Sequence, residues 1–89
     1  MINEITYLKL KRTLLKNFRQ ANVFIEEKGI FNTRFNIDKA RITINKHKLI
    51  ISNEDLDATI LLDFINKIKF YDISRIELIG LDARYILEF

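Results

Sequence analysis

Hydrophobic and polar positions at the start of the chain repeat with the period of a helix. Between Asn3 and Ala21, steps of about 100° around an axis separate an apolar stripe from a basic ridge. Asn3 fits an N-cap, and the charges suit a helix dipole, with an acid early and bases late. We therefore predict an amphipathic helix that lies on a β-rich body. Its apolar stripe contains Tyr7, Leu10, Leu14, Phe18 and Ala21, widened by Leu8 and Leu15, and its basic ridge contains Lys9, Arg12, Lys16 and Arg19.

The period changes from Val23 onwards, where apolar and polar residues alternate as they do in half-buried strands. Gly29 follows Glu27-Lys28 in a turn signal that favours a positive φ. Asn45-Lys46 separates two strand-like runs and predicts a tight hairpin. We expect three or four antiparallel strands over Val23–Ser52.

The segment Asn53–Tyr71 carries two competing patterns. Acids near its start, lysines near its end and an i, i+3, i+4, i+7 apolar stripe favour a second helix over Glu54–Lys69. The strand alternative stays open, because Asn66-Lys67 repeats the turn dipeptide found earlier and apolar residues alternate into it. The sequence favours the helix.

The chain ends in a pattern typical of a hairpin, in which Arg75–Gly80 and Arg84–Phe89 flank Leu81-Asp82-Ala83. Some apolar residues fall on the outer sheet face, away from the first helix, and need a cover of their own. That cover is the second helix, a partner protein or a second copy of the chain. The residues concerned are Ile50, Ile79 and Ile86.

Together these patterns predict one α+β domain over residues 1–89, with an N-terminal helix packed on a mainly antiparallel sheet, a second helix and a C-terminal hairpin. A length of 89 residues and a hydrophobic content of 48% fit one small core. There is no Cys, so we expect neither disulfides nor thiolate metal sites, and we expect a cytoplasmic location. No apolar run approaches the ~20 residues of a membrane span.

Candidate chemistry is sparse. His47 is the single histidine, and its place beside the Asn45-Lys46 turn indicates a residue on the hairpin rim. The acids Glu54, Asp55 and Asp57 lack the glycine turn and distal Glu of a calcium loop. We therefore expect no catalytic residues, no metal, no cofactor and no small-molecule substrate.

Two binding hypotheses remain. The first is a non-catalytic interaction module or inhibitor that binds a protein partner or itself through Ile50, Ile79 and Ile86. The alternative is a nucleic-acid-binding protein that uses the basic ridge, since residues 1–21 hold five basic side chains and one acid while the net charge is +3. Base stacking would need exposed aromatics, but Phe31 and Phe35 share a predicted core face with Ile37, which leaves Tyr71 as the least constrained aromatic.

Overall fold

The computed structural model describes residues 2–17, 21–72 and 74–89, and the side chain of Asn17 is outside this set. The described residues form one α-helix, eight strands and a short 3-10 turn. Phe18 and Arg19, which the sequence assigns to the apolar stripe and the basic ridge, lie outside the described residues. The elements are α1 Glu4–Asn17, β1 Val23–Lys28, β2 Thr33–Ile37, β3 Arg41–Ile44, β4 Lys48–Ser52, β5 Asp57–Leu61, the 3-10 turn Leu62–Phe64, β6 Ile65–Asp72, β7 Arg75–Gly80 and β8 Arg84–Glu88.

The strands form two antiparallel sheets whose inner faces share one core. The larger sheet has the order β2-β1-β8-β7-β6, and the smaller has the order β3-β4-β5. The chain passes from one sheet to the other after β2 and returns through the 3-10 turn. Ile25 and Ile76 both lie opposite Leu87 in the register, so the inner face of the large sheet is apolar in consecutive strands. The edge strands are β2 and β6 in the large sheet and β3 and β5 in the small one.

The N-terminal helix is confirmed, and so is its cap. Asn3 Oδ1 accepts a hydrogen bond from the Thr6 N–H at 2.8 Å, as expected of an N-cap side chain. Tyr7, Leu10 and Leu14 are buried in the core. The prediction that Leu8 and Leu15 widen the buried stripe is wrong, since they are 46% and 44% exposed. The helix packs beside β3 and reaches β6 through Lys9, so only a narrow stripe meets the core.

The prediction of a second helix is wrong, because Glu54–Lys69 forms β5, the 3-10 turn and most of β6. Asn53 Oδ1 does accept the N–H groups of Asp55 and Leu56, both at 2.8 Å, as a helix cap would. However, the Asn53 N–H donates to the Leu56 carbonyl at 2.9 Å, which closes a tight hairpin instead. The backbone of β5 then pairs with β4, and this tertiary pairing prevails over the local charge pattern. The strand alternative is confirmed by β5 and β6, but its turn at Asn66-Lys67 is wrong, because these residues lie inside β6.

The remaining strand predictions are confirmed. Val23–Ser52 contains four strands, although they belong to two sheets. The Asn45 N–H donates to the Lys48 carbonyl at 3.0 Å in the first predicted hairpin, and Gly80 N–H donates to the Ala83 carbonyl at 2.9 Å in the last. Gly29 has a φ of 131° in the turn after β1. The fold thus has the expected helix and antiparallel sheets but is mostly β. The one helix of the described residues is too short and too polar to cross a membrane.

Candidate functional site

The three isoleucines predicted as a protein interface do not meet on one surface. Ile50 lies on the outer face of the small sheet, opposite Thr43 and Thr59. Ile79 and Ile86 lie on the outer face of the large sheet, and Ile86 is only 5% exposed. Partner capture through these residues therefore stays a prediction, without a continuous apolar patch to support it.

Charged side chains cover the outer face of the large sheet. Glu26 and Glu77 are the direct cross-strand neighbours of Ile86, and long aliphatic stems of charged residues can shield such an apolar centre from water. Neither a second helix nor a partner is needed to explain why Ile86 is buried. Four ion pairs lie on this face: Arg34–Glu26 at 2.7 Å, Lys28–Glu26 at 3.8 Å, Arg75–Glu88 at 3.8 Å and Arg84–Glu77 at 4.0 Å.

The basic ridge is exposed along α1, as its spacing predicts. Lys9, Arg12 and Lys16 all face solvent, and within the described part of the chain none of them forms an ion pair with a carboxylate. The one acid of α1, Glu4, pairs with Lys46 in the β3–β4 hairpin at 3.5 Å. The ridge therefore keeps its positive charge. The fourth predicted member, Arg19, is outside the described residues.

Two further lysines lie on β6, the edge strand that the ridge contacts, and they project from the face opposite to that contact. The ammonium group of Lys9 lies 4.5 Å from the centroid of the Phe70 ring, which places the ridge against β6. Lys67 and Lys69 project from the outer face of β6, and neither pairs with a carboxylate among the described residues. The sequence reasoning missed them because it placed both in the last turn of a second helix. We call Lys9, Arg12, Lys16, Lys67 and Lys69 the cationic surface.

An exposed tyrosine follows these lysines on the same edge strand. Tyr71 is 52% exposed, and its hydroxyl donates to Glu77 Oε2 at 3.3 Å. The guanidinium carbon of Arg75 lies 5.1 Å from the centroid of the Tyr71 ring, within the range of a cation–π contact. The ring is therefore held at its hydroxyl and against one face, beside Lys69.

The titratable residues predicted to be structural lie apart from the cationic surface. His47 Nδ1 is 3.1 Å from Asp63 Oδ1, with the histidine side chain 75% exposed at the hairpin rim. Glu54 and Asp55 form the β4–β5 turn. In the part of the chain that the structure describes, no group of three or more His, Asp or Glu could hold a metal ion.

A groove of about 220 Å³ lies between the edge strands β2 and β5. The prediction that Phe31 belongs to the core is wrong: Phe31 precedes β2 and is 78% exposed, while Phe35 in β2 does pack on the core. Ile30, beside Phe31 on the rim, is 59% exposed. The groove is lined by Ile25, Glu27, Ile30, Phe31, Thr33, Phe35, Ala58, Thr59, Ile60 and Tyr85.

A buried carboxylate organises the rim of this groove. Glu27 Oε1 accepts the Ile30 N–H at 3.0 Å, and Oε2 accepts the N–H groups of Phe31 and Asn32, both at 3.1 Å. Burial, and secondarily the nearby charge of Glu27, raise the pKa of the Tyr85 hydroxyl in the groove wall. The β1–β2 turn is thereby held in one shape, with Ile30 and Phe31 at its outside.

Comparison of the chain with protein-family models, with curated proteins and with solved structures finds no match.

Proposed function

We propose that this protein binds nucleic acid without catalysis, through the cationic surface on α1 and β6. The observation that supports this proposal is the contrast between two groups of bases. On strands β1, β2, β7 and β8, the bases on the outer face of the large sheet pair with acids. On the cationic surface, five bases on two adjacent elements have no carboxylate partner within the described residues. A row of unneutralised cations favours a polyanion, whose phosphates release counterions on binding.

The first test removes three charges from the ridge. The variant Lys9→Gln/Arg12→Gln/Lys16→Gln is compared with the wild type by fluorescence anisotropy, using a labelled single strand and a labelled duplex between about 50 and about 200 mM salt. We expect lower affinity and a weaker salt dependence. The log–log slope should fall by about 0.7 for each lost single-strand contact and about 0.9 for each lost duplex contact.

The matched control removes two lysines and one arginine from elsewhere on the body. Lys28→Gln/Lys39→Gln/Arg41→Gln changes the net charge equally but leaves the cationic surface intact, and all three side chains are exposed. If both triple variants reduce affinity and slope alike, only net charge matters and the proposed surface is wrong. If the wild type binds neither oligonucleotide at low salt, the proposed function is wrong.

The groove between β2 and β5 supports a second candidate function, which is self-association through added strands. Both groove walls are edge strands, whose backbone can pair with another extended chain. Phe31 and Ile30 supply exposed apolar area at the rim. Light scattering after size-exclusion chromatography should then give a mass that rises with concentration from 10.6 kDa, and Phe31→Ser should prevent the rise. A wild-type monomer at every concentration would exclude this candidate.

A further inference from the structure

The aromatic ring at the end of the cationic surface distinguishes between classes of nucleic acid. Tyr71 is half exposed, and its hydroxyl contact with Glu77 and its ring contact with Arg75 restrict its orientation. Nucleobases stack on such rings whatever their sequence, but only when they are not already stacked within a duplex. The ring offers nothing to an intact double helix, whose outer surface is made of phosphates and groove edges.

We propose that the ligand is single-stranded, with its phosphates on the cationic surface and one base stacked on Tyr71. This inference rests on the proposed function, because it specifies the ligand of the same surface. Lys67 and Lys69 occupy alternate positions of β6, so their side chains project about 6.6 Å apart on its outer face. Tyr71 lies at a register shift of the strand, and its contacts with Glu77 and Arg75 place it on the same face. A flexible strand can follow this spacing with its backbone while it turns one base towards the ring.

The ridge on α1 supplies the other end of the path. Lys9 and Lys16 are seven positions apart, which is about 10 Å along the helix axis. The contact between Lys9 and Phe70 joins this ridge to β6 one residue before Tyr71. Phe70 faces the core side of β6, whereas Lys69 and Tyr71 face the outer side, so a strand that follows this path has to pass around the edge of β6.

The test distinguishes the contribution of the Tyr71 ring to oligonucleotide affinity from that of the charged side chains. Tyr71→Leu removes the aromatic face, and Tyr71→Phe keeps it while losing only the hydroxyl contact with Glu77. Anisotropy is measured with a labelled thymidine oligonucleotide of about twelve nucleotides and with a duplex of equal length. A base–aromatic stack corresponds to a factor of about 5 to 150 in affinity, so Tyr71→Leu should weaken single-strand binding within that range.

The salt dependence and the duplex provide the internal controls. Tyr71→Leu should leave the salt slope unchanged, because no charge is removed, and should leave duplex affinity unchanged. Tyr71→Phe should bind the single strand nearly as well as the wild type. Lys67→Gln/Lys69→Gln should instead reduce the single-strand slope by about 1.4 in total, at about 0.7 per contact. Circular dichroism of each variant verifies that the fold is retained.

The failure of this inference differs from the failure of the proposed function. If Tyr71→Leu binds the single strand like the wild type, or if the duplex binds more tightly, the stacking proposal is overturned while the cationic surface can still be correct. If neither oligonucleotide binds the wild type, both proposals are overturned. Binding to vesicles that contain phosphatidylglycerol, with no binding to oligonucleotides, would overturn both and assign the cationic surface to anionic lipid.

Discussion

Replacement of Glu27, a buried carboxylate of β1 that holds the β1–β2 turn, should destabilise the fold strongly. Its carboxylate accepts three backbone N–H groups at 3.0, 3.1 and 3.1 Å, and the residue is 8% exposed. A hydrogen bond to a charged group contributes about 1.5–3 kcal/mol. Because water can reach the donors of this exposed turn after the change, we take about 1 kcal/mol for each of them. Glu27→Ala should therefore reduce the free energy of unfolding by about 3 kcal/mol.

The assay is urea unfolding followed by far-ultraviolet circular dichroism, with thermal unfolding as a second measurement. The midpoint should fall while the slope against urea stays constant, because the same surface is exposed on unfolding. In a domain of this size about 3 kcal/mol corresponds to a loss of about 12–24 °C in Tm. The urea midpoint of Glu27→Gln should lie between those of the wild type and Glu27→Ala. The amide of Gln offers one acceptor oxygen and turns a donor towards one of the N–H groups.

Glu88→Ala is the matched control, because this carboxylate is half exposed and, among the described residues, forms an ion pair with Arg75 alone, at 3.8 Å. Exposed ion pairs of this kind contribute about 0–1 kcal/mol, so its midpoint should hardly move. If Glu27→Ala is as stable as the control variant, the carboxylate does not hold the β1–β2 turn and the reasoning from these three hydrogen bonds is wrong.

Three further outcomes are expected. Gly29→Ala should lower the free energy of unfolding by more than about 2 kcal/mol, because φ is 131° and a Cβ would meet the backbone of the β7–β8 turn. Hydrogen bonds from Ser74 lower the pKa of Asp72 below 3.8. Any stability that this pair contributes is therefore lost as pH falls through the lowered pKa. Ser74→Ala should raise the pKa of Asp72 in an NMR titration. The pKa of Tyr85 is raised above 10.0, so its contribution to stability is lost as pH rises through the raised value, and Glu27→Gln should lower that pKa in an ultraviolet titration.

The predictable parts of this fold are those whose signals are local. The N-cap at Asn3, the buried spacing of Leu10 and Leu14, and the hairpin at Asn45-Lys46 depend on residues a few positions apart. The prediction of a second helix fails because its signals are equally local, whereas the conformation of this segment is decided by pairing with a distant strand. Asn53 makes the cap-like hydrogen bonds, and the backbone then pairs with β4. A short stretch of sequence does not indicate which other strand it will pair with.

The candidate site likewise contains residues that local sequence predicts and residues that depend on the tertiary structure. The period of α1 is enough to align Lys9, Arg12 and Lys16, whereas Lys67 and Lys69 join them only when β6 is recognised as a strand beside the helix. The sequence alone also could not show how Ile86 is shielded from water. Ile86 is flanked by Glu26 of the sequence-distant strand β1 and by Glu77 of β7, and it is buried there without the helix or partner that the apolar pattern demands.

The distribution of ion pairs supports the proposed binding of nucleic acid despite the small net charge. Bases on β1, β2, β7 and β8 pair with acids of the same or a neighbouring strand, so their charges are largely neutralised locally. On α1 the only acid, Glu4, pairs with a hairpin lysine, and Lys67 and Lys69 stand on an edge strand, where Lys69 lies opposite Glu77 but forms no ion pair with it among the described residues. The cationic surface thus combines unpaired bases of α1 with unpaired bases of the edge strand β6. Since counterion release depends on local charge density and not on the net charge of +3, the salt slope of the two triple variants is a sharper criterion than any overall measure of basicity.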